Sequence, residues 1–184
     1  MTVCLGDARV FALAITDALS RVDVKATIVG AVRRMDTRME SIDVVACAGT
    51  SQVRDIVIDA LSPLFRGEPM IGSGRCTGCP APVSGPATRV PGDTPLMRIG
   101  ADIDGLQVDV RMVPPAAVGA AVAVLTGPES YVSSLTRAAR RRGMALTQSG
   151  LVVPADGGRI VPVPDEAALG RALGVSIPPA FMRG

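Results

Sequence analysis

The stretch VGAVRRMDTRMESIDVV, residues 29–45, decides the fold. It starts inside a β-rich segment, residues 24–32, and after a polar stretch it enters an apolar run, residues 42–48, that only Asp43 interrupts. Short β-rich runs bounded by polar residues predict strands, so we expect two neighbouring strands here. Ser41 and Asp43 are two positions apart, and side chains at that spacing point to the same face of a strand.

Segments with helical periodicity lie on both sides of these two strands. Apolar residues recur at helical spacing over about residues 7–21 and again over about residues 52–65, which predicts two helices that cover the sheet. Thr50 and Ser51 can cap the second helix. Residues 66–96 contain six prolines and six glycines, a composition that predicts a mobile loop with room for one short strand.

Residues 97–113 predict a β-hairpin. MRIGADI (97–103) and LQVDVRMV (106–113) flank the turn-prone pair Asp104-Gly105. In the second segment polar residues alternate with apolar ones, so Asp109 is expected on the face opposite the core, next to a neighbouring strand and in solvent.

A smaller lobe is predicted after this hairpin. An alanine-rich apolar run, residues 116–125, ends at Thr126-Gly127-Pro128, and a helix over residues 129–142 follows, with Gly143 as its C-cap. Strand-like segments at 151–153 and 160–163 precede a small helix at 166–173. We therefore expect two lobes, residues 1–127 and residues 128–184.

Composition excludes several classes of function. The 184 residues are 48% hydrophobic, enough for one domain or two small lobes. The absence of His excludes Ser-His-Asp and Cys-His catalysis and His-containing metal sites. Aromatic residues are 2% of the chain, which excludes the stacking platforms of single-strand-binding sheets. The net charge of +2 does not draw the whole chain to nucleic acid or membranes.

The four cysteines are interpreted as reduced thiols. Cys76 and Cys79 are close in sequence, but without a second pair or any His they are more simply two free loop thiols than a zinc site. Cys4 and Cys47 lie in apolar segments that we expect to be buried. The first 20 residues lack a basic region and contain two aspartates, which predicts neither a signal peptide nor a membrane span and makes a cytoplasmic location the default.

Three stretches resemble family X DNA polymerases. Residues 29–45 resemble the palm signature, Gly-Ser-x-Arg-Arg followed after six residues by Asp-x-Asp, without a gap. Residues 105–131 resemble the strand with the third carboxylate, the Val-Pro-Pro turn and the Thr-Gly turn, and residues 141–181 are similar to the thumb. The resemblance spans about residues 9–181. It implies an α+β fold: a nucleotidyltransferase palm, whose mixed or mainly antiparallel sheet is backed by helices, plus a small thumb lobe.

The resemblance also implies a catalytic site. In the family, three carboxylates on adjacent strands hold two Mg²⁺ ions, which activate a primer 3′-hydroxyl and neutralise the triphosphate. The matching positions hold Ser41, Asp43 and Asp109, so Asp43 and Asp109 are the expected catalytic residues and metal ligands; two solvated strand carboxylates are an equally open interpretation. Glu40 is expected on the other face of its strand, and Asp36 reaches the site only if its loop folds back. We expect Mg²⁺ or Mn²⁺ to bind weakly, or not at all, without nucleotide.

Nucleotide contacts are implied for two groups of residues. The positions that match the family are Gly30, Arg33, Arg34, Thr126 and Gly127. A surface pair beside Asp36 and Glu40 is the alternative for Arg33 and Arg34, but their place in the motif favours phosphate contact. Ala31 replaces a serine that helps hold the triphosphate, and Val132 and Thr136 replace an asparagine and an arginine of the thumb helix. With Ser41, these are four degenerate positions, which favour little or no polymerase activity.

A basic cluster ends the predicted thumb helix. It consists of Arg137, Arg140, Arg141 and Arg142. Contact with a DNA backbone and a solvated helix end favoured by the helix dipole are both open interpretations.

Three functions remain open at this point. The first is binding of DNA or nucleotide by a protein whose nucleotidyl transfer is weak or lost. The second is an active Mg²⁺- or Mn²⁺-dependent repair polymerase that fills gaps. The third is a structural or protein-binding use of the fold. The expected partner is DNA, a nucleoside triphosphate or a protein, and not a membrane.

Overall fold

A computed structural model describes residues 3–64, 70–73, 97–103 and 106–183 of the chain. Its helices are α1 Leu5–Ser20, α2 Gly30–Arg34, α3 Ser51–Leu61, α4 Val118–Thr126, α5 Glu129–Arg141 and α6 Glu166–Leu173. Its strands are β1 Val3–Cys4, β2 Ala26–Val29, β3 Arg38–Met39, β4 Ser41–Cys47, β5 Met70–Ser73, β6 Met97–Ile103, β7 Leu106–Val113, β8 Ala145–Thr147, β9 Gly150–Val153 and β10 Arg159–Val161. Short 3₁₀ turns occur at 62–64, 115–117, 154–156 and 180–182.

A mixed five-stranded sheet forms the centre of the first lobe. Its strand order is β2-β4-β7-β6-β5. The central strands β4 and β7 run parallel, and the other neighbouring pairs are antiparallel. The prediction of a mixed sheet backed by helices is therefore confirmed. The small β1 and β3 strands form a separate antiparallel pair.

Helices α1 and α3 supply the core behind this sheet. On α1 the buried side chains recur every three or four residues, which places them on one helical face; they are Ala8, Ala12, Ile15 and Leu19. They pack in one cluster with Ile42, Val44, Val108 and Val110 of the central strands. The predicted helices at 7–21 and 52–65 thus exist, with α1 beginning two residues earlier and α3 ending at Leu61.

The β-rich segment at 24–32 is a strand for only half its length. Strand β2 ends at Val29, and helix α2 starts at Gly30, so the prediction of a strand through Val32 was wrong. Gly30 has φ +66°, a left-handed conformation that glycine adopts readily and that turns the chain out of the sheet. Val32 is buried in the helix instead.

The hairpin prediction is confirmed by strand register. Strands β6 and β7 pair antiparallel with Ile103 opposite Leu106. The connecting Asp104-Gly105 pair lies outside the described residues, as do Cys76, Cys79 and most of the predicted loop 66–96. Strand β5 falls within that loop and pairs with β6.

The second lobe is a three-stranded antiparallel sheet, in the order β10-β9-β8, packed with α4, α5 and α6. Helix α6 has the predicted bounds. The Asp165 side chain accepts a hydrogen bond from the Ala168 N–H at its start, and Gly174 ends it with φ +62°.

Helix α4 belongs to the cores of both lobes. Ala120 and Ala123 pack in the second-lobe cluster, whereas Ala121 and Val122 pack against valines of β2, β4 and β7. Gly119 allows this close packing, because a Cβ there would lie 2.1 Å from the Asp165 carbonyl oxygen. The lobe boundary at 127/128 stays a prediction. Within the described ranges, no helix combines the length and apolar character that a membrane span requires.

Candidate functional site

Asp43 and Asp109 lie side by side at the centre of the first-lobe sheet. Strands β4 and β7 are parallel, and their register pairs Asp43 directly with Asp109. Neighbouring strands are about 4.8 Å apart, and paired residues in register point to the same face. The sequence-based expectation that these two carboxylates occupy neighbouring strands is confirmed by this geometry.

Asp109 is buried, contrary to the expectation that its face of the strand is in solvent. Its exposed fraction is 3%, and that of Arg111, on the same face, is 2%. The face meets the second lobe: Arg111 Nη1 donates a hydrogen bond of 2.6 Å to Gln148 Oε1 in the β8–β9 turn. Alternation correctly separates this face from the apolar one, but it cannot reveal that another lobe covers it.

Each carboxylate accepts a hydrogen bond from a neutral side chain two residues before it. The Ser41 hydroxyl donates to Asp43 Oδ2 at 3.0 Å. The Gln107 amide nitrogen lies 3.2 Å from Asp109 Oδ2 and 3.4 Å from Oδ1. Ser41 and Gln107 are themselves a register pair. Sequence reasoning did not single out Gln107, although its position two residues before Asp109 was visible.

A pair of divalent ions does not fit this donor set. In the described part of the chain, no three Cys, Asp or Glu side chains are close enough to share an ion. Glu40 is exposed, and the Asp36 carboxylate forms an ion pair with Arg34 at 2.5 Å. Two carboxylates and a hydroxyl, beside a Gln107 amide whose N–H group rather than its carbonyl faces Asp109, are a poor match for Mg²⁺, which prefers anionic and carbonyl oxygens.

The two arginines that the family resemblance assigns to triphosphate contact form hydrogen bonds with other residues of the protein in this structure. Arg33 donates to Thr126 Oγ1 at 3.2 Å and to Glu166 Oε2 at 2.7 Å. Arg34 donates to the Thr126 carbonyl oxygen at 2.8 Å. Thr126 ends α4 and Glu166 begins α6, so helix α2 is bonded to both. The predicted phosphate contacts of Arg33 and Arg34, and nucleotide contacts of Thr126 and Gly127, stay predictions.

Glu166 pairs with Arg33 of the first lobe and with Arg183 of its own, second lobe. Its Oε1 lies 2.7 Å from Nη1 of Arg183, whose side chain is 1% exposed, and Oε2 pairs with Arg33. Burial raises the pKa of Glu166, but the neighbouring guanidinium groups of Arg183 and Arg33 outweigh it, so the pKa is lowered. The Arg183 guanidinium also lies 5.0 Å from the centre of the Tyr131 ring. Sequence patterns gave no signal for this network, because its members are remote in sequence.

The basic cluster of α5 divides into two parts. Arg137, Arg140 and Arg141 are exposed and lie opposite the buried Leu135 and Ala138, so they share an outward face. This outward face is called the α5 basic face below.

Arg142, beyond the end of α5, points elsewhere. A Cβ on Gly174 would lie 2.1 Å from Arg142 Nη2, so this guanidinium lies against the C-terminal end of α6. The partial negative charge of a helix C-terminus favours a cation there.

The two degenerate positions on α5 have no group that suits a nucleotide. Val132 packs against Gly127, where an added Cβ would lie 3.1 Å from Val132 Cγ2. Thr136 is half-buried on the same helix. Ala31, the second residue of α2, has no hydroxyl.

Two of the four cysteines, Cys4 and Cys47, lie in the described part of the chain. Cys4 is exposed, contrary to the expected burial, and its thiol lies 3.1 Å from the Asp7 carboxylate. Cys47 is half-buried, and burial raises the pKa of its thiol, with a smaller opposing effect of Lys25.

Comparisons with known proteins agree with this architecture. Residues 121–183 match the family model described as the DNA polymerase beta thumb. The whole chain superposes on 77% of Leishmania infantum polymerase beta, solved as a ternary P/T complex, with a TM-score of 0.70 and 16% sequence identity. A search of curated proteins gave no match. The chain thus has a family X polymerase-like fold, and we call its first lobe the palm and its second lobe the thumb, with their boundary a prediction.

Proposed function

We propose that this protein binds DNA without sequence preference, mainly through its thumb, and that its nucleotidyl transfer is weak or lost. The observation that carries the proposal is the contrast between an exposed, single-sign α5 basic face and a palm site with two carboxylates instead of three. Binding to a phosphate backbone needs only positive charge near the surface, which the α5 basic face supplies. A two-metal site needs every shared ligand.

The α5 basic face supports DNA binding by its position and its exposure. Its three arginines lie on the thumb, the lobe that matches the polymerase beta family model. Lys and Arg that meet phosphates release condensed counterions, so affinity for DNA falls as salt rises. The similar polymerase beta was solved as a ternary P/T complex, which makes DNA the first partner to test.

The palm site supports loss of catalysis by its charge. Ser41 leaves two site carboxylates to face the +4 charge of two divalent ions. Removing one shared ligand loosens both ions, and small misplacements of the attacking hydroxyl cost orders of magnitude in rate. Ala31, Val132 and Thr136 remove further contacts that the family resemblance implies.

The DNA-binding proposal is tested by the salt dependence of affinity. We expect log Kd to change linearly with log salt, and we expect the double variant Arg140→Ala/Arg141→Ala to flatten the slope by about 0.9 for each phosphate that these arginines neutralise in the natural protein. The matched control is Arg159→Ala on β10, an exposed arginine already paired with Asp156, which should leave the slope unchanged. An unchanged slope in the double variant would return the arginines to a solvated helix end.

A second candidate function is slow Mg²⁺- or Mn²⁺-dependent gap filling. The observation that favours it is the direct register of Asp43 and Asp109 on parallel strands. If nucleotide supplies the missing negative charge, metal binding should then require a nucleoside triphosphate. Titration of the protein with Mn²⁺, with and without the triphosphate, separates this candidate from the first.

A further inference from the structure

The two neutral donors of the palm form a symmetric arrangement across β4 and β7. Ser41 precedes Asp43 by two residues, Gln107 precedes Asp109 by two residues, and the strand register pairs Ser41 with Gln107 and Asp43 with Asp109. All four positions therefore share one face of the sheet. The resemblance that singled out Ser41 said nothing about Gln107.

The Gln107 amide is placed to donate a hydrogen bond to the carboxylate of Asp109. Its amide nitrogen lies within 3.4 Å of both carboxylate oxygens, at 3.2 Å from Oδ2 and 3.4 Å from Oδ1. Asp109 is 3% exposed, so a buried carboxylate gains more from this donor than an exposed one. A cation that binds Asp109 must compete with the amide N–H for the same lone pairs.

We propose that Gln107 and Ser41 together hold the two palm carboxylates in an ion-free state, so that the site is stable without a resident divalent cation. This inference rests on the proposed function, because it concerns the same palm site. It assigns the loss of metal binding to two positions rather than one. Ser41 removes a ligand, and Gln107 blocks one that remains.

The consequence is that restoring the missing carboxylate is not sufficient. In Ser41→Asp, the new carboxylate adds negative charge beside Asp43, but Asp109 keeps its amide donor. Removing that donor as well should make the lone pairs of Asp109 more available to an ion. Gln107→Met is the suitable change, because methionine keeps the length of the side chain and has no N–H group.

Mn²⁺ titration followed by electron paramagnetic resonance tests the proposal without any catalytic assay. We expect no saturable binding to the natural protein at millimolar Mn²⁺ and weak binding to Ser41→Asp. The double variant Ser41→Asp/Gln107→Met should bind about tenfold more tightly than Ser41→Asp, the value of one hydrogen bond to a charged group. Ser41→Asp/Gln52→Met is the matched control, since Gln52 is an exposed glutamine in α3, which follows the far end of β4.

Two results would overturn the proposal. One is equal Mn²⁺ affinity of Ser41→Asp with and without Gln107→Met. The other is tight Mn²⁺ binding by the natural protein that Asp109→Asn abolishes. The titration contains no DNA, so the salt-slope experiment on α5 can fail without affecting this result, and the reverse also holds.

A second measurement keeps the test valid if the double variant does not fold. Thermal unfolding of the single variant Gln107→Met is compared with that of the natural protein, each with and without Mn²⁺. A ligand that binds only the folded state raises Tm, so Mn²⁺ should raise the Tm of Gln107→Met more than that of the natural protein. An equal rise in both, or no rise in either, would contradict the role of Gln107.

Discussion

The α5 basic face and the palm carboxylates differ in how precisely their chemistry must be placed. Phosphate attraction depends on net positive charge near a surface, and the exposed Arg137, Arg140 and Arg141 supply it without fixed geometry. Two-metal chemistry depends on every ligand, and Ser41 and Gln107 each alter one side of the site. On the proposed function, DNA binding should therefore tolerate sequence changes that weaken catalysis.

The largest expected effect concerns Glu166, whose ion pair with Arg33 connects the thumb to the palm. In Glu166→Ala, the buried Arg183 is deprived of its carboxylate partner and Arg33 no longer reaches the thumb through Glu166. Breaking one side of a buried ion pair costs about 3–5 kcal/mol. We therefore expect the free energy of unfolding, measured with urea, to fall by that amount.

Two controls sharpen this prediction. Asp156→Ala breaks an ion pair with Arg159 in which both side chains are exposed, and it should cost at most about 1 kcal/mol.

Lowering the pH is the second control. The pKa of Glu166 is lowered in the folded state, so its contribution is complete above the ordinary value of 4.5 and is lost as pH falls through the folded pKa. Acid should therefore destabilise the natural protein more than Glu166→Gln, and equal acid sensitivity would contradict the assignment.

A smaller effect is expected at the first residue of α2. Gly30→Ala forces alanine into a left-handed conformation and places a Cβ 2.9 Å from Asp43 Oδ2, so we expect a loss of about 1–2 kcal/mol from the backbone alone. Gly143→Ala is the matched control, because Gly143 has φ +69° with no heavy atom within 4 Å of the added Cβ. Chemical denaturation should show the larger loss for Gly30→Ala, because only there does the Cβ meet Asp43. Equal losses would mean that the palm site tolerates the added methyl group.

The smallest effect separates Arg142 from the α5 basic face. Arg142→Ala removes a cation from the C-terminal end of α6 and should lower stability by about 0.3–1 kcal/mol. The salt slope of DNA binding should stay unchanged, whereas Arg140→Ala should flatten it by about 0.9. A flatter slope for Arg142→Ala would place this residue on the DNA as well, as its position in the sequence cluster suggests.

Much of this fold follows from local patterns in the sequence. Periodicity predicts α1 and α3, and the alternation in residues 106–113 predicts β7, because both depend on which side chains are buried in one element. The strand predicted through Val32 failed because Gly30 takes a left-handed conformation, which β propensity does not register.

The candidate site was only partly accessible from the sequence. Motif spacing places Asp43 and Asp109 together, but burial of Asp109 depends on contact with the other lobe. The Arg33–Glu166–Arg183 network joins residues up to 150 positions apart, and no local pattern encodes such a contact. Gln107 was visible beside Asp109, but its role depends on side-chain geometry that alternation does not give.

Extension of a primer on gapped DNA tests the central claim most directly. The natural protein, Asp43→Ala and Ser41→Asp are compared in Mg²⁺ at a salt concentration where the protein binds the DNA. We expect no Mg²⁺-dependent extension by the natural protein above that of Asp43→Ala, and little recovery in Ser41→Asp because Gln107, Ala31, Val132 and Thr136 remain. Robust Mg²⁺-dependent gap filling by the natural protein, abolished by Asp43→Ala, would contradict this account and establish an active polymerase.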